Sequence, residues 1–141
     1  MKRMGSVRRT SFRGRSFITR DGSLETWLAL VADAISRRDG PAWWRPMARD
    51  FGEQAAIVFD GLLDTDLDEH ASDEPRRQAL RDLFSELRAE LSAGRLEPGP
   101  ARCRIREPAS DEAVLRVADA ILWLLDPSPE AELPADVSLH T

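Results

Sequence analysis

The segment SDEPRRQALRDLFSELRAELSAG, residues 72–94, contains the pattern that decides the fold class. Its large apolar residues recur three and four positions apart, at Leu80, Leu83, Phe84, Leu87 and Leu91. Because residues at this spacing share one face of an α-helix, the segment predicts an amphipathic helix. Ser72 is expected to cap this helix, and Gly94 is expected to end it.

Three other segments repeat this helical spacing of apolar residues, namely residues 23–40, 43–61 and 110–126. Gly52 lies inside the second segment, where a glycine destabilises a helix by about 1 kcal/mol relative to alanine. A glycine kept at this position indicates that a neighbouring segment approaches closely there. Together with residues 72–94, these segments predict a mainly α protein. The expected architecture is a single domain whose four helices pack in a bundle-like core.

One stretch departs from the helical pattern. In residues 102–106, arginines alternate with Cys103 and Ile105, which is typical of a short strand. Pairing of this stretch with residues 16–19 would add a minor two-stranded β element to the helical core. An exposed basic loop is the alternative for residues 102–106.

The distribution of charge divides the chain. The 141 residues carry a formal net charge of −5. The first 20 residues, however, contain seven Lys or Arg and no Asp or Glu, so all 25 acidic residues lie in the remainder. We therefore expect a basic flexible arm over residues 1–14, a helical domain over residues 15–127 and a C-terminal tail over residues 128–141.

The basic N-terminal region suggests contact with nucleic acid. Its candidate phosphate-binding residues are Arg8, Arg9, Arg13 and Arg15. Arginines gain affinity for nucleic acid by releasing counterions, and the interleaved phenylalanines are suited to stacking on exposed bases. The acidic remainder of the chain would repel the same polyanion. The alternative is that the arm folds back onto the protein's own acidic surface.

Three carboxylates on the helix at 72–94 suggest a different partner. Asp82, Glu86 and Glu90 are spaced four residues apart, so their side chains lie along one edge of the helix. Like charges at this spacing cost roughly 0.2–0.5 kcal/mol per pair. A row of carboxylates that persists despite this loss of helix stability predicts a surface that faces a basic protein. The alternative is an ordinary solvated helix face.

Tryptophans provide the apolar part of this predicted interface. Trp123 falls on the polar side of its predicted helix, where so large an apolar ring must be covered. The coverings to consider are the basic arm, the segment with Trp43 and Trp44, a second copy of the chain and a foreign partner. We therefore add Trp43, Trp44 and Trp123 to the candidate partner-binding residues, and homodimerisation stays open.

Residues suited to catalysis or metal binding are few. The acidic loop at 64–70 begins like a calcium loop, but Glu69 replaces the glycine and Pro75 replaces the closing glutamate. His70 lies beside these acids, although a single loop histidine is usually just exposed. Cys103 is flanked by arginines that favour a reactive thiolate, and a half-buried strand position is the alternative. We therefore predict no enzyme, no metal and no cofactor.

The sequence VADAI occurs at residues 31–35 and again at residues 117–121. In each copy the aspartate, Asp33 or Asp119, projects away from the apolar stripe of its helix. We therefore expect both aspartates in solvent, and similar packing of the two helices explains the repetition.

These observations predict a non-enzymatic acidic protein that binds a basic protein partner. Small acidic inhibitors of basic toxins or nucleases, of the immunity or antitoxin kind, use the same electrostatic complementarity, which is an analogy of function. The alternative is a nucleic-acid-associated regulatory protein that uses the basic arm. A single cysteine and the lack of an apolar run of about 20 residues predict a cytoplasmic protein without membrane contact.

Overall fold

The structure is a computed structural model, and it describes residues 7–57, 62–126 and 138–140. Its strands are β1 (Val7–Phe12), β2 (Arg15–Thr19), β3 (Leu62–Asp66) and β4 (Ser138–His140). Its helices are α1 (Ser23–Ser36), α2 (Trp44–Ala56), α3 (Glu74–Ser92), α4 (Pro100–Cys103) and α5 (Asp111–Leu125). A 3-10 turn at Leu67–Glu69 follows β3. Within the described ranges, no helix is long and apolar enough to span a lipid bilayer.

The four strands form one mixed sheet in the order β3-β1-β2-β4. β1 and β2 are an antiparallel hairpin, and β3 runs parallel to β1. The hairpin turns at Arg13 and Gly14, whose φ angles of 50° and 79° give the left-handed turn that suits a tight hairpin. Residues 7–12, expected within a flexible arm, are instead an interior strand. The prediction of a mainly α, bundle-like fold is wrong, because a mixed sheet accompanies the helices.

The side chains of β1 explain why the sequence pattern concealed this strand. Arg8, Thr10 and Phe12 alternate along β1 and are all buried. Period-2 alternation is recognised by apolar residues on the buried face, and only Phe12 is apolar here. Arg8 is 1% exposed, so a residue that looked like part of a solvated arm belongs to the interior.

The predicted pairing of residues 16–19 with residues 102–106 is also wrong. β2 instead pairs with β1 on one side and with β4 on the other. Pro100–Cys103 is a helical turn, and no residue of the alternating stretch lies in a strand. The side chains of Cys103, Arg104 and Arg106 are exposed, which agrees with the alternative of an exposed basic segment.

Asp33 holds the α4 segment against α1. Its carboxylate accepts hydrogen bonds from three backbone N–H groups, those of Gly99 at 2.8 Å, Ala101 at 2.9 Å and Arg102 at 3.0 Å. In this way it satisfies free N–H groups at the start of α4, as N-capping side chains do. The expectation that Asp33 lies in solvent is wrong, since the residue is 4% exposed. Asp119 is partly exposed and pairs with Arg88.

Helix α1 lies at the centre of the core. Twelve of its 14 residues are buried, because α2, α3, α4 and α5 all contact it. The helical spacing of large apolar residues predicted for residues 23–40 understates this burial, since alanines extend the apolar surface to the other faces. Trp27 is fully buried, and its ring meets Phe84 of α3 edge to face at a centroid distance of 5.7 Å.

Helices α3 and α5 begin at side-chain caps. Asp73, rather than the predicted Ser72, caps α3 by accepting the N–H of Arg76 at 2.9 Å. Ser110, the first residue of the predicted helical segment 110–126, caps α5 and accepts a hydrogen bond from the N–H of Ala113 at 3.2 Å. These caps satisfy N–H groups that a helix start leaves without partners, and they fix where the two helices begin.

Candidate functional site

The arginines predicted to bind nucleic acid lie on the β1–β2 hairpin and contact other parts of the chain. Arg9 pairs with Asp64 on β3, with Nε 3.2 Å from Oδ1. Arg13 pairs with Glu74 at the start of α3, at 2.8 Å. Both ion pairs join the hairpin to the protein's own acidic residues, as the fold-back alternative describes.

Arg15 covers Trp123. The guanidinium carbon lies 4.2 Å from the centroid of the indole ring, which is a cation–π distance. The same group donates to the carbonyl oxygens of Trp123 and Leu124 at 2.6 and 3.1 Å, so it satisfies acceptors at the C-terminal end of α5. Trp123, a predicted partner-binding residue, is therefore 8% exposed and covered from within the chain.

Arg8 is the most deeply buried of these arginines. Its Nη2 donates to the carbonyl oxygen of Ile57 at 3.1 Å, and its Nε lies 3.8 Å from a carboxylate oxygen of Glu25. Nε and Nη1 are buried without a hydrogen-bond partner. Burial lowers the pKa of Arg8, and the Glu25 carboxylate partly offsets this effect.

The predicted carboxylate row on α3 is partly neutralised. Arg38, just beyond α1, contacts Glu86 at 2.9 Å and Glu90 at 2.8 Å. Asp82 is exposed and accepts a hydrogen bond from Gln78 at 2.8 Å. Because Arg38 bridges two of the three carboxylates, the row is a weaker partner-binding candidate than its spacing suggested.

Trp43 and Trp44 contact each other at the start of α2. Their ring centroids are 6.3 Å apart in an edge-to-face arrangement, and Arg76 of α3 lies 5.3 Å from the ring of Trp43. Both tryptophans are half-buried. Among the described residues, no ring contact or hydrogen bond joins them to Glu86 or Glu90, so they form a separate cluster.

A second group of acids is less neutralised. We name it the acidic edge because β3 is an edge strand of the sheet, and it comprises Asp64, Asp66, Asp68 and Glu69. Within the described part of the chain, these four carboxylates form one ion pair with an arginine, the contact between Arg9 and Asp64. Asp68 accepts the backbone N–H of Arg13 at 3.0 Å, and Asp66 accepts that of Asp68 at 2.9 Å.

The pKa values of Asp66 and Glu74 are shifted in opposite directions. Burial, together with the carboxylates of Asp68 and Asp64, raises the pKa of Asp66 above its ordinary value. Hydrogen bonds from arginines, first of all Arg13, lower the pKa of Glu74. The crowded carboxylates therefore lie on β3 and the 3-10 turn, whereas the first turn of α3 is neutralised.

Asp50, Glu69 and His70 bring their ligand atoms within 4.8 Å of one another. Imidazole and carboxylate groups are ligands that divalent transition metals accept. Asp50 is already engaged, because its two oxygens contact Gln54 at 3.0 Å and His70 Nε2 at 2.8 Å. Gln54 in turn accepts a hydrogen bond from Thr65 on β3. We therefore interpret this group as a polar link between α2 and the acidic edge.

Sequence reasoning missed the burial of Arg8 and Asp33 and did not single out Glu25. A signal for Asp33 was present, because it interrupts the otherwise apolar run LALVADAI at residues 28–35. A helix that is apolar on all faces is buried on all faces, so a charge within it needs a buried partner. For Arg8, the alternation with Thr10 and Phe12 was too weak to reveal a strand.

Comparisons with known proteins add no assignment. No protein-family model, no curated protein and no solved structure matches this chain.

Proposed function

We propose that the chain is a non-enzymatic binding protein whose acidic edge engages a basic segment of another protein. The observation that supports this proposal is the crowding of Asp64, Asp66 and Asp68, which among the described residues form one ion pair with an arginine, between Asp64 and Arg9. A basic partner would place cations beside carboxylates that now repel one another, which favours both rapid encounter and a fixed orientation.

The position of β3 in the sheet supports an extended partner segment. In the sheet formed by the described residues β3 is the last strand, so one side of its backbone faces away from β1. An extended segment can add to such an edge through main-chain hydrogen bonds, and basic side chains on it would reach the carboxylates. The like charges of two acidic edges oppose pairing of two copies there, so we favour a foreign basic partner over a homodimer at this edge.

The nucleic-acid alternative has less support. Arg9 and Arg13 pair with carboxylates, Arg15 covers Trp123, and Arg8 is 1% exposed. Binding to phosphates would require the first three of these side chains to give up intramolecular partners. The acidic edge, to which Arg9 is paired, would also repel a polyanion.

We place this binding in the cytoplasm, which the single cysteine supports. The specific form of the proposal is an inhibitor of the immunity or antitoxin kind, whose partner would be a basic toxin or nuclease. A captured basic protein whose activity falls on binding would support that role, and undiminished activity would contradict it.

Charge reversal at the acidic edge tests the proposal. The double variant Asp68→Lys, Glu69→Lys should lose the basic proteins that the wild-type chain captures from lysate, as quantified by mass spectrometry. The matched control is Asp111→Lys, Glu112→Lys, which changes the charge equally in the first turn of α5. The control should retain those proteins, and circular dichroism verifies that both variants fold.

Binding kinetics give the second readout. The association rate of the purified partner with the wild-type chain should fall as ionic strength rises, because salt screens exposed charges. Equal capture by the edge variant and its control, or an association rate that salt does not change, would refute the acidic edge as the binding surface.

A further inference from the structure

A cleft of about 490 Å³ opens between the N-terminal end of α1, the C-terminal end of α2 and the segment that follows α4. It is lined by Gly22, Glu25, Ala55, Ala56, Ile57, Arg104, Ile105, Arg106 and Glu107. Its volume falls in the range of small-molecule sites, about 300–1,000 Å³. Neither the acidic edge nor the predicted partner-binding residues contribute to its lining.

One wall of the cleft is apolar. Ile57 is 45% exposed, and it is the exposed large apolar side chain within the described part of the chain. Ile105 and two alanines lie in the same lining. Apolar surface left open inside a concave site is typical of a place where a ligand packs.

Charged groups surround that wall. Arg104 and Arg106 are exposed, and among the described residues neither forms an ion pair. The carboxylates of the lining belong to Glu25 and Glu107. Arg8 adds a third guanidinium group behind the lining, so among the described residues three guanidinium groups stand against two carboxylates at the cleft.

Arg8 provides an independent indication of a ligand. It is 1% exposed, and its Nε and Nη1 are buried without hydrogen-bond partners. Its guanidinium group lies against two residues of the lining, because Nη2 donates to the carbonyl oxygen of Ile57 and Nε is 3.8 Å from Glu25. A buried cation with unused donors is costly, and an anion placed in the adjoining cleft would offset part of that cost.

We propose that this cleft binds a small amphiphilic organic anion. Its carboxylate or phosphate group accepts hydrogen bonds from Arg104 and Arg106, and its apolar part packs on Ile57 and Ile105. Guanidinium groups suit both anionic groups because each presents paired oxygens to the planar donor fork. The buried charge of Arg8 favours the anion over a neutral or cationic analogue.

The test is a titration of the ¹⁵N-labelled full chain followed by NMR. Octanoate and octyl phosphate supply the two anionic groups on the same alkyl chain, and octylammonium is the cationic control. Saturable shifts of the backbone amides of Ile57 and residues 104–106 are expected with at least one anion and not with octylammonium. The anion that binds more tightly identifies the preferred group. No saturable shift with either anion, or equal binding of octylammonium, would overturn the proposal.

Variants locate the binding. The double variant Arg104→Gln, Arg106→Gln should weaken the bound anion about tenfold or more, because it removes charge-assisted hydrogen bonds. Arg45→Gln, at an exposed arginine in α2, should leave the affinity unchanged. Ile57→Ser should weaken binding without changing the preference for anions. Unchanged affinity in the double variant would rule out this cleft as the site, whatever the outcome for the acidic edge.

Discussion

Arg8 and Glu25 form a charge pair whose two members differ in their access to water. Arg8 is 1% exposed, whereas Glu25 keeps part of its side chain in the cleft. Removing the arginine leaves a carboxylate whose side chain is 16% exposed, although its Oε1 is buried without a hydrogen-bond partner. Removing the carboxylate leaves a buried cation with one hydrogen bond, to Ile57. The two substitutions should therefore have unequal costs, because an uncompensated charge is most costly when it is buried.

We expect Glu25→Gln to lower the free energy of unfolding by about 1–3 kcal/mol. Arg8→Met, which replaces the buried cation by an apolar chain, should lower it by less, because the carboxylate that remains is less buried than the arginine. Urea denaturation at neutral pH measures both values. Glu112→Gln, in the first turn of α5, reports the smaller effect of removing a carboxylate from a helix start. A greater loss for Arg8→Met than for Glu25→Gln would contradict this account of the pair.

Among the secondary-structure elements, two glycines differ in whether a larger side chain fits in their place. In α2, a methyl group at Gly52 would lie 3.9 Å from the Cβ atom of Ala32, which is an ordinary contact. Gly52→Ala should therefore raise the free energy of unfolding by about 0.5–1 kcal/mol through helix propensity. At Gly99, the methyl group would lie 2.7 Å from Cγ of Asp33.

The same denaturation measurement tests the second glycine. Gly99→Ala should lower the free energy of unfolding by about 1–3 kcal/mol. The added methyl group pushes the Asp33 carboxylate away from the backbone N–H groups that donate hydrogen bonds to it. Amide exchange should quicken at Ala101 and Arg102 as well. If Gly99→Ala were neutral, the contact between Asp33 and α4 would not contribute to stability.

The elements also show how far the sequence could predict the fold. Helical spacing located α1, α3 and α5, because their buried residues are large and apolar. It missed β1, where Arg8 and Thr10 occupy buried positions, and β3, whose sequence LLDTD resembles an acidic loop. Both strands are defined by their partners in the sheet. Paired residues of β1 and β3, such as Arg9 and Asp64, are 55 positions apart along the chain, and a local pattern does not contain that information.

For the whole molecule, the hairpin arginines and the acidic residues belong to one charge arrangement. Arg9 and Arg13 of the hairpin meet Asp64 and Glu74. Arg9 and Arg13 therefore neutralise part of the acidic remainder of the chain. The predicted carboxylate row is partly neutralised by Arg38, which pairs with two of its three members, whereas the acidic edge has one ion pair with an arginine among the described residues.

The contributions of Asp66 and Glu74 to folding stability should change with pH in opposite directions. The pKa of Asp66 is raised in the folded protein, so the folded state binds the proton more tightly than the unfolded chain does. Stability from this group is present below its unfolded pKa and is lost as pH rises through the folded value. The pKa of Glu74 is lowered, so its stabilising effect is present above its unfolded pKa and is lost as pH falls through the folded value.

Two isosteric variants measure this difference. Asp66→Asn keeps an oxygen that accepts the N–H of Asp68 and should stabilise the protein at neutral pH by about 0.2–1 kcal/mol, because it removes like-charge repulsion. This advantage should disappear in acid, where Asp66 of the wild-type chain is protonated. Glu74→Gln should instead lower the melting temperature at neutral pH and lose that effect in acid. Melting temperatures measured across this pH range decide the matter, and a destabilised Asp66→Asn variant at neutral pH would mean that the acidic edge is already neutralised in the free protein.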